Sequence, residues 1–275
     1  MGTVAGSATR RYHGHLVAAV KPPTDRMVLL PTVESFATVA GQSYGISTNA
    51  YVGTLHPQGF QFLESFAQGG NYVEWMHALG AGRLRRRIAA HRGQDAVTLS
   101  YANVGSATIQ LTLRPLVCHK PYHENFRVMD FYPEFIVFPD DRTVVAHRGV
   151  TLSLEHPGAA RTPTTGWYYR FERRRESERG LDPIDDLFCP CELRYVLSPG
   201  DEVFLVAGLE EGIAPVAFED ETPAVDLVAS LRRSARDYLV KTPERTTIIA
   251  GYPWFTDWGR DRMISLPGIS LATGN

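Results

Sequence analysis

The sequence predicts a mainly β chain: a supersandwich of antiparallel sheets over about residues 10–215, then one amphipathic helix, then a short aromatic segment. Three observations carry this expectation. Apolar and polar residues alternate with period two through most of the first 215 positions. Clusters of turn-forming residues separate the alternating runs. Helical periodicity does not alternate with these runs and first sets in at Thr222, so antiparallel sheets are favoured over a parallel, helix-flanked one.

The elements follow in order. Ile109, Leu111 and Leu113 alternate with Gln110, Thr112 and Arg114, and Val150, Leu152 and Leu154 alternate with Thr151, Ser153 and Glu155. Each run reads as a strand with one wet face. Asn103-Val104-Gly105 and Ser198-Pro199-Gly200-Asp201 sit where hairpin turns are expected, and Pro139-Asp140-Asp141 marks another turn. Trp167, Tyr168, Tyr169 and Phe171 form an aromatic strand. Its rings suit sugar faces, but burial at alternate positions is the commoner use of such a row. From Thr222, a capping residue, and Pro223, suited to a first turn, the residues Leu227, Val228, Leu231, Ala235, Tyr238 and Leu239 recur at helical spacing up to Pro243. The expected organisation is a β-domain over 1–221, a linker helix over 222–247 and a third segment over 248–275.

Composition narrows the function classes. The chain of 275 residues is 44% hydrophobic and 21% charged, with a formal charge of −2. That balance gives no reason to expect nucleic acid or an anionic membrane as partner. The arginine runs at 83–87 and 173–175 are broken by apolar or acidic neighbours and read as solvated faces. No stretch approaches the roughly 18 apolar residues of a membrane helix, and no signal peptide is visible. Three cysteines, an odd and low count, point to a reducing compartment, so the cytoplasm is the expected location. Cys189 and Cys191 have no second pair to complete a zinc site, and the scattered histidines lack ligand spacing. No metal and no cofactor is expected.

Two polar clusters carry alternative readings. Arg10-Arg11-Tyr12-His13-Gly14-His15 leads into the first clear strand; it can line a binding surface, but a loop whose arginines pair with nearby carboxylates is the simpler reading. The run ESERGLDPIDD at 176–186 holds five carboxylates without the glycine and ligand spacing of a calcium loop, and reads as a solvated loop.

The densest chemistry lies in AGYPWFTDWGRD, residues 250–261. Tyr252, Trp254, Phe255 and Trp258 stand beside Asp257, Arg260 and Asp261. Aromatic faces stack on sugar rings, and a carboxyl among aromatics can have its pKa raised enough to act as an acid. A glycosidase needs two carboxyl groups, roughly 6.5–9.5 Å apart for inversion and ~5 Å for retention. On the residues alone, Asp257 or Asp261 fits the acid, and so does a buried aromatic loop in which Arg260 pairs with either.

Four segments taken in order resemble the bacterial and archaeal type of glycogen debranching enzyme, the amylo-alpha-1,6-glucosidase family. They are TRRYHGHLVAAV (9–20), LRPLVCHKPYHENF (113–126), ERGLDPIDDLFCPCEL (178–193) and IIAGYPWFTDWGRDRMISLPGISLATG (248–274). The resemblance implies an N-terminal β-supersandwich that contacts the glucan, followed by an (α/α)6 barrel that hydrolyses it. Ile248 onward is then the truncated start of that barrel. The motif WGRD implies Asp261 as general acid, with Trp254, Asp257, Trp258 and Arg260 shaping the glucose subsite. The implied partner is glycogen or a branched α-glucan. His15 stands where the family usually has an apolar residue, and Arg262 follows the acid where a small polar residue is common. Most of the barrel and its catalytic base are absent, so the chain reads as a fragment that is expected to be inactive alone. The competing expectations are a non-catalytic carbohydrate-binding module and a sandwich that only buttresses the barrel.

Overall fold

A computed structural model describes residues 2–220 and 226–274, and the chain divides into two compact units. The first comprises Met1–Ala18 with Val28–Asp220, the second Ala19–Met27 with Glu221–Asn275.

The first unit holds two large antiparallel sheets. The eight-stranded sheet runs in the order Phe135–Val137, Arg142–His147, Val150–Glu155, Glu202–Gly208, Ala96–Asn103, Gly82–Ala90, Tyr72–Leu79, Leu63–Gln68. The seven-stranded sheet runs Gln42–Gly45, Thr32–Val39, Ile109–Leu116, Ile184–Leu197, Ala160–Glu172, Thr48–Tyr51, Thr54–Gln58. Alternation decides which side chains are buried. In the first sheet Leu99 stands opposite Ile88 and Leu205; in the second, Leu111 stands opposite Ala37 and Tyr195. All six are buried. The fully buried Tyr101 of the eight-stranded sheet meets Ser35 of the seven-stranded one, hydroxyl to hydroxyl at 3.1 Å, which satisfies both polar groups at the sheet interface.

The antiparallel supersandwich is therefore as expected, but two of its turns serve a different purpose. The turn after Asn103 leaves the eight-stranded sheet and enters the seven-stranded one, and the turn at 198–201 makes the reverse crossing. Neither closes a hairpin. Asn103 holds its turn through its side chain, accepting from Gly105 N–H at 3.1 Å and donating to the carbonyls of Ala107 and Leu197, both at 2.9 Å. Only 139–141 of the three turns joins paired strands, Phe135–Val137 and Arg142–His147. A period of two fixes which way a side chain faces, not which sheet its strand enters, and that is why the two crossings look like hairpins.

In the second unit the helix is Leu227–Asp237. Asp226 caps it, its carboxylate accepting from Val228 N–H at 3.0 Å. Thr222 and Pro223 lie outside the described residues. The helix stops earlier than its periodicity suggests. Tyr238 is its C-terminal cap, and Leu239–Lys241 is a strand that pairs with Thr246–Ile248. A second helix, Gly259–Leu266, follows the aromatic loop.

Candidate functional site

The segment 250–261 is built in three steps. The hairpin Leu239–Lys241/Thr246–Ile248 delivers the chain into the loop, and Ala250 N–H bonds to Thr256 carbonyl at 2.9 Å to close it. Two groups then hold the loop from within the second unit. Arg26, only 8% exposed, donates to the carbonyl of Pro253 at 2.8 Å and to that of Phe255, and its guanidinium lies 5.1 Å from the centre of the Tyr252 ring. Asp257, its side chain 8% exposed, accepts from Arg245 at 2.5 Å and from the Thr247 hydroxyl at 3.2 Å. Charge-assisted bonds of this kind are roughly twice as strong as neutral ones.

The end of the segment is held differently. Trp258 precedes the helix Gly259–Leu266 and is exposed, as is Arg260. Asp261 falls in the helix's first turn. Among the described residues its one ion pair is with Arg260 at 3.7 Å, and it retains 38% of its side-chain surface. Of the five sequence-predicted residues, Asp257 is thus engaged in holding the loop, and Trp258, Arg260 and Asp261 share one exposed turn. Trp254 packs against Phe255, ring centres 6.2 Å apart, on the loop between. Arg245 and Thr247 escaped the sequence reading although they lie within twelve residues of Asp257. Arg26 is 227 residues from Pro253, and no local pattern could have found it.

The other motif-like segments converge in the first unit, where they form a different kind of site. Asp185 is fully buried and binds Lys120 at 2.5 Å and Arg173 at 2.8 Å, while its other oxygen accepts from Phe126 N–H at 2.8 Å. Burial alone would raise this carboxyl; Lys120 and Arg173 more than offset that and hold it below the usual carboxylate range. Arg173 also donates to Ala8 carbonyl, and the buried Glu176 accepts from Arg11 N–H and pairs with Arg11 and Arg179. Tyr12 stacks edge-on against Tyr122 and bonds to His123. The run 176–186 is therefore not a solvated loop: Glu176, Asp185 and Asp186 are buried. Asp186 accepts from the backbone N–H groups of Val128 and Arg170. Every oxygen of Asp185 is occupied, which leaves it nothing to offer a substrate. The aromatic strand behaves as its base rate suggests at two positions, with Phe171 buried and Trp167 packed on Phe131 and Phe188, while Tyr169 is exposed.

The three thiols are buried too. Burial pushes Cys118 and Cys189 up to about 12 and Cys191 to about 11, so none is a thiolate at neutral pH.

One face of the seven-stranded sheet remains open. Phe36, Thr38, Ser43, Thr112, Arg114, Glu192 and Arg194 line a shallow trough of about 280 Å³. Arg114 joins the carboxylate of Glu192 at 2.8 Å, donates to the Tyr168 hydroxyl at 3.2 Å and stacks over Phe36 at 5.3 Å.

No helix among the described residues is long and apolar enough to cross a membrane. Comparison with curated proteins gives no match. Among solved structures, a bacterial glucoamylase complexed with acarbose is similar at 8% identity and a TM-score of 0.37, covering 75% of this chain and 32% of its own. A heparan sulfate lyase mutant from Pedobacter heparinus is similar at 11% identity and a TM-score of 0.37, covering 68% of this chain and 24% of its own. The chain thus spans about a quarter to a third of the length of these two structures. Two family models match consecutive parts of the sequence: glycogen debranching enzyme N terminal over residues 1–204, and amylo-alpha-1,6-glucosidase over residues 233–275. With the first match covering most of the sandwich and the second the WGRD turn, the chain belongs to the glycogen debranching enzyme family.

Proposed function

We propose that this chain is the N-terminal part of an α-1,6-glucosidase acting on glycogen or a limit dextrin, and that Asp261 is its general acid. One observation carries the reading. The loop 250–257 is fixed by buried groups, Arg26 and Asp257, while beyond it Trp258 and Arg260 stay exposed and Asp261, in the first turn of a helix, stays partly open. A rigid support that ends in open aromatic, cationic and acidic groups is the arrangement a sugar subsite requires.

In the reaction, Asp261 protonates the glycosidic oxygen as the bond from the anomeric carbon breaks, so the 6-hydroxyl leaves neutral. Trp258 and Trp254 offer ring faces to the glucose, and Arg260 donates to its hydroxyls. Asp257, paired with Arg245, holds the turn and limits where Asp261 can sit. The base that activates water lies beyond these residues, in the remainder of an (α/α)6 barrel whose first strip is 248–275, after a sandwich over 1–221 and a linker over 222–247. Exposed apolar side chains favour that continuation. Leu227 and Leu231 on the first helix, and Met263, Ile264 and Leu271 on or after the second, lie at least 60% exposed. Further helices of a barrel would cover such faces and supply the burial that raises an acid's pKa. Buried, unpaired thiols agree with a cytoplasmic enzyme.

The trough on the seven-stranded sheet is the best candidate for glucan contact by the sandwich, since it joins an aromatic ring to Arg, Glu and Thr side chains. Two measurements test the reading. The 275-residue chain should release no glucose from a limit dextrin, whereas the full-length protein should, and Asp261→Asn should abolish that release. Phe36→Ala should weaken retention of the isolated chain on glycogen. Glucose release by the chain alone, or an active full-length Asp261→Asn enzyme, would overturn the assignment.

A further inference from the structure

The arginine run at 83–87 is not one solvated face. Arg83, Arg85 and Arg87 point outward, where Arg83 meets Glu64 at 2.8 Å, Arg87 meets Glu74 at 2.7 Å and Arg85 lies near Glu74 and Glu202. Arg86 has the opposite parity and faces inward, 4% exposed. Its Nη2 donates to His15 Nε2 at 2.8 Å, and its guanidinium lies 5.0 Å from the centre of the Trp75 ring. Its Nε has no hydrogen-bond partner among the described residues. Among the described residues no carboxylate pairs with it. His15 cannot supply the missing charge: burial, and then Arg86 itself, hold its imidazole neutral. A buried cation satisfied only by a neutral acceptor and ring faces is a costly arrangement, and native proteins seldom leave one without a counter-charge.

Arg86 lines a cavity of about 170 Å³, together with Val4, His15, Phe66, Gln68 and Trp75. Val4, Phe66 and Gln68 among its lining residues are exposed, so the cavity opens to solvent on their side. Gly6 also borders it at φ +84°, and a Cβ there would meet only Arg86 Nη1, at 3.9 Å. The side chain therefore presents Nη1 toward the space while Nη2 is engaged. Gly2, Thr3, Val73 and Ile88 complete the walls, which are mostly apolar and aromatic, and none of the lining residues is acidic.

We propose that this cavity is a binding site for a small organic carboxylate, held by Arg86 at its head and by Trp75 and Phe66 along its body. A carboxylate accepts from Nη1, with the Gln68 amide as a second donor in reach of the mouth. The single guanidinium selects one negative charge. A phosphate dianion would call for a second cation, which the walls do not contain. The site lies wholly in the sandwich unit and is independent of the glycosidase reading.

Calorimetric titration of the 275-residue chain at fixed ionic strength tests this, with benzoate and its neutral isostere benzamide as probes. Benzoate should bind at one site, about tenfold or more tighter than benzamide, because the charge-assisted bond exists only for the anion. Arg86→Met should abolish the difference. If Arg86→Met does not fold, Gln68→Trp decides the matter: Gln68 is exposed on an edge strand, and the larger ring closes the mouth without disturbing the core. Benzoate affinity should then fall by about tenfold. Equal affinity for the two probes, absence of saturable benzoate binding, or a Gln68→Trp variant that binds as tightly as the parent would overturn the proposal and leave Arg86 a structural residue solvated by water.

Discussion

The Asp185 cluster of the first unit and the Asp261 turn of the second are spelled in the same alphabet: acidic residues beside arginines and aromatic rings, in segments that look equally like sites. Their structures are opposites. Around Asp185, Lys120, Arg173 and a backbone N–H consume every acceptor, and the carboxylate has no exposed surface. Around Asp261 a single pair at 3.7 Å is made among the described residues, and 38% of the side chain is open. A saturated polar cluster locks a fold; an unsaturated one on a rigid support is available to a ligand. The two units differ in the same sense. The sandwich buries Leu99, Leu111 and Leu205, while the second unit leaves Leu227, Ile264 and Leu271 exposed.

The largest expected effect should fall on the saturated side. Asp185→Asn leaves two buried cations with a neutral partner and should destabilise the sandwich by about 3–5 kcal/mol. Asp261→Asn should change stability by no more than ~0.5 kcal/mol, as an exposed substitution does. Urea unfolding followed by circular dichroism checks both, and a reversed order would break the comparison.

Next in size is the support of the candidate site. Arg26→Met keeps much of the side-chain length but removes two hydrogen bonds to the loop carbonyls, each worth about 1.5–3 kcal/mol when charge-assisted. Amide hydrogen exchange should speed up across 250–256 while the sandwich strands keep their protection. Unchanged exchange in the loop would show that Asp257 alone holds it.

A third effect builds up only in acid and belongs to the sandwich. Burial, with Arg86 beside it, lowers His77 to about 4, and burial with His147 lowers His119 to about 3, from an ordinary 6.5. Between those values the unfolded chain binds protons that the folded one refuses. Stability is therefore fully present above about 6.5 and is lost as the pH falls toward 4 and 3, the depressed carboxyl of Asp185 extending the loss below its ordinary 3.8. His119→Phe should flatten the slope in that window by up to about 1.4 kcal/mol per pH unit. A slope identical to the parent's would remove His119 from the account.

The sandwich was legible because its evidence is local: alternation along one strand predicts burial without knowledge of the partner strand, and it places Leu111 and Leu152 correctly in the core. The helix was legible for the same reason, but its end was not. Leu239 continues a helical pattern in sequence, and only pairing with Ile248 makes it a strand. What stayed hidden depended on distance along the chain. Asp185 reads as solvated until Lys120, 65 residues away, is brought to it, and Arg26 has no apparent role until the loop at 252–255 reaches it. Arg86 was misread for a simpler reason: its neighbours' solvation was extended to it, although period two already separates it from Arg85 and Arg87. The place of Asp261 was read from the family resemblance, not from any pattern of spacing.

Kinetics of Asp261→Asn and Asp257→Asn in the full-length protein test the central claim most directly. A proton donor acts only in the transition state, so its loss lowers kcat strongly, and a substrate with an activated leaving group restores much of the rate. Asp257, paired with Arg245, supports the turn; its loss should lower kcat less and show no such rescue. The account predicts the kcat collapse and the rescue for Asp261→Asn alone; the same pattern in Asp257→Asn, with Asp261→Asn nearly intact, would contradict it.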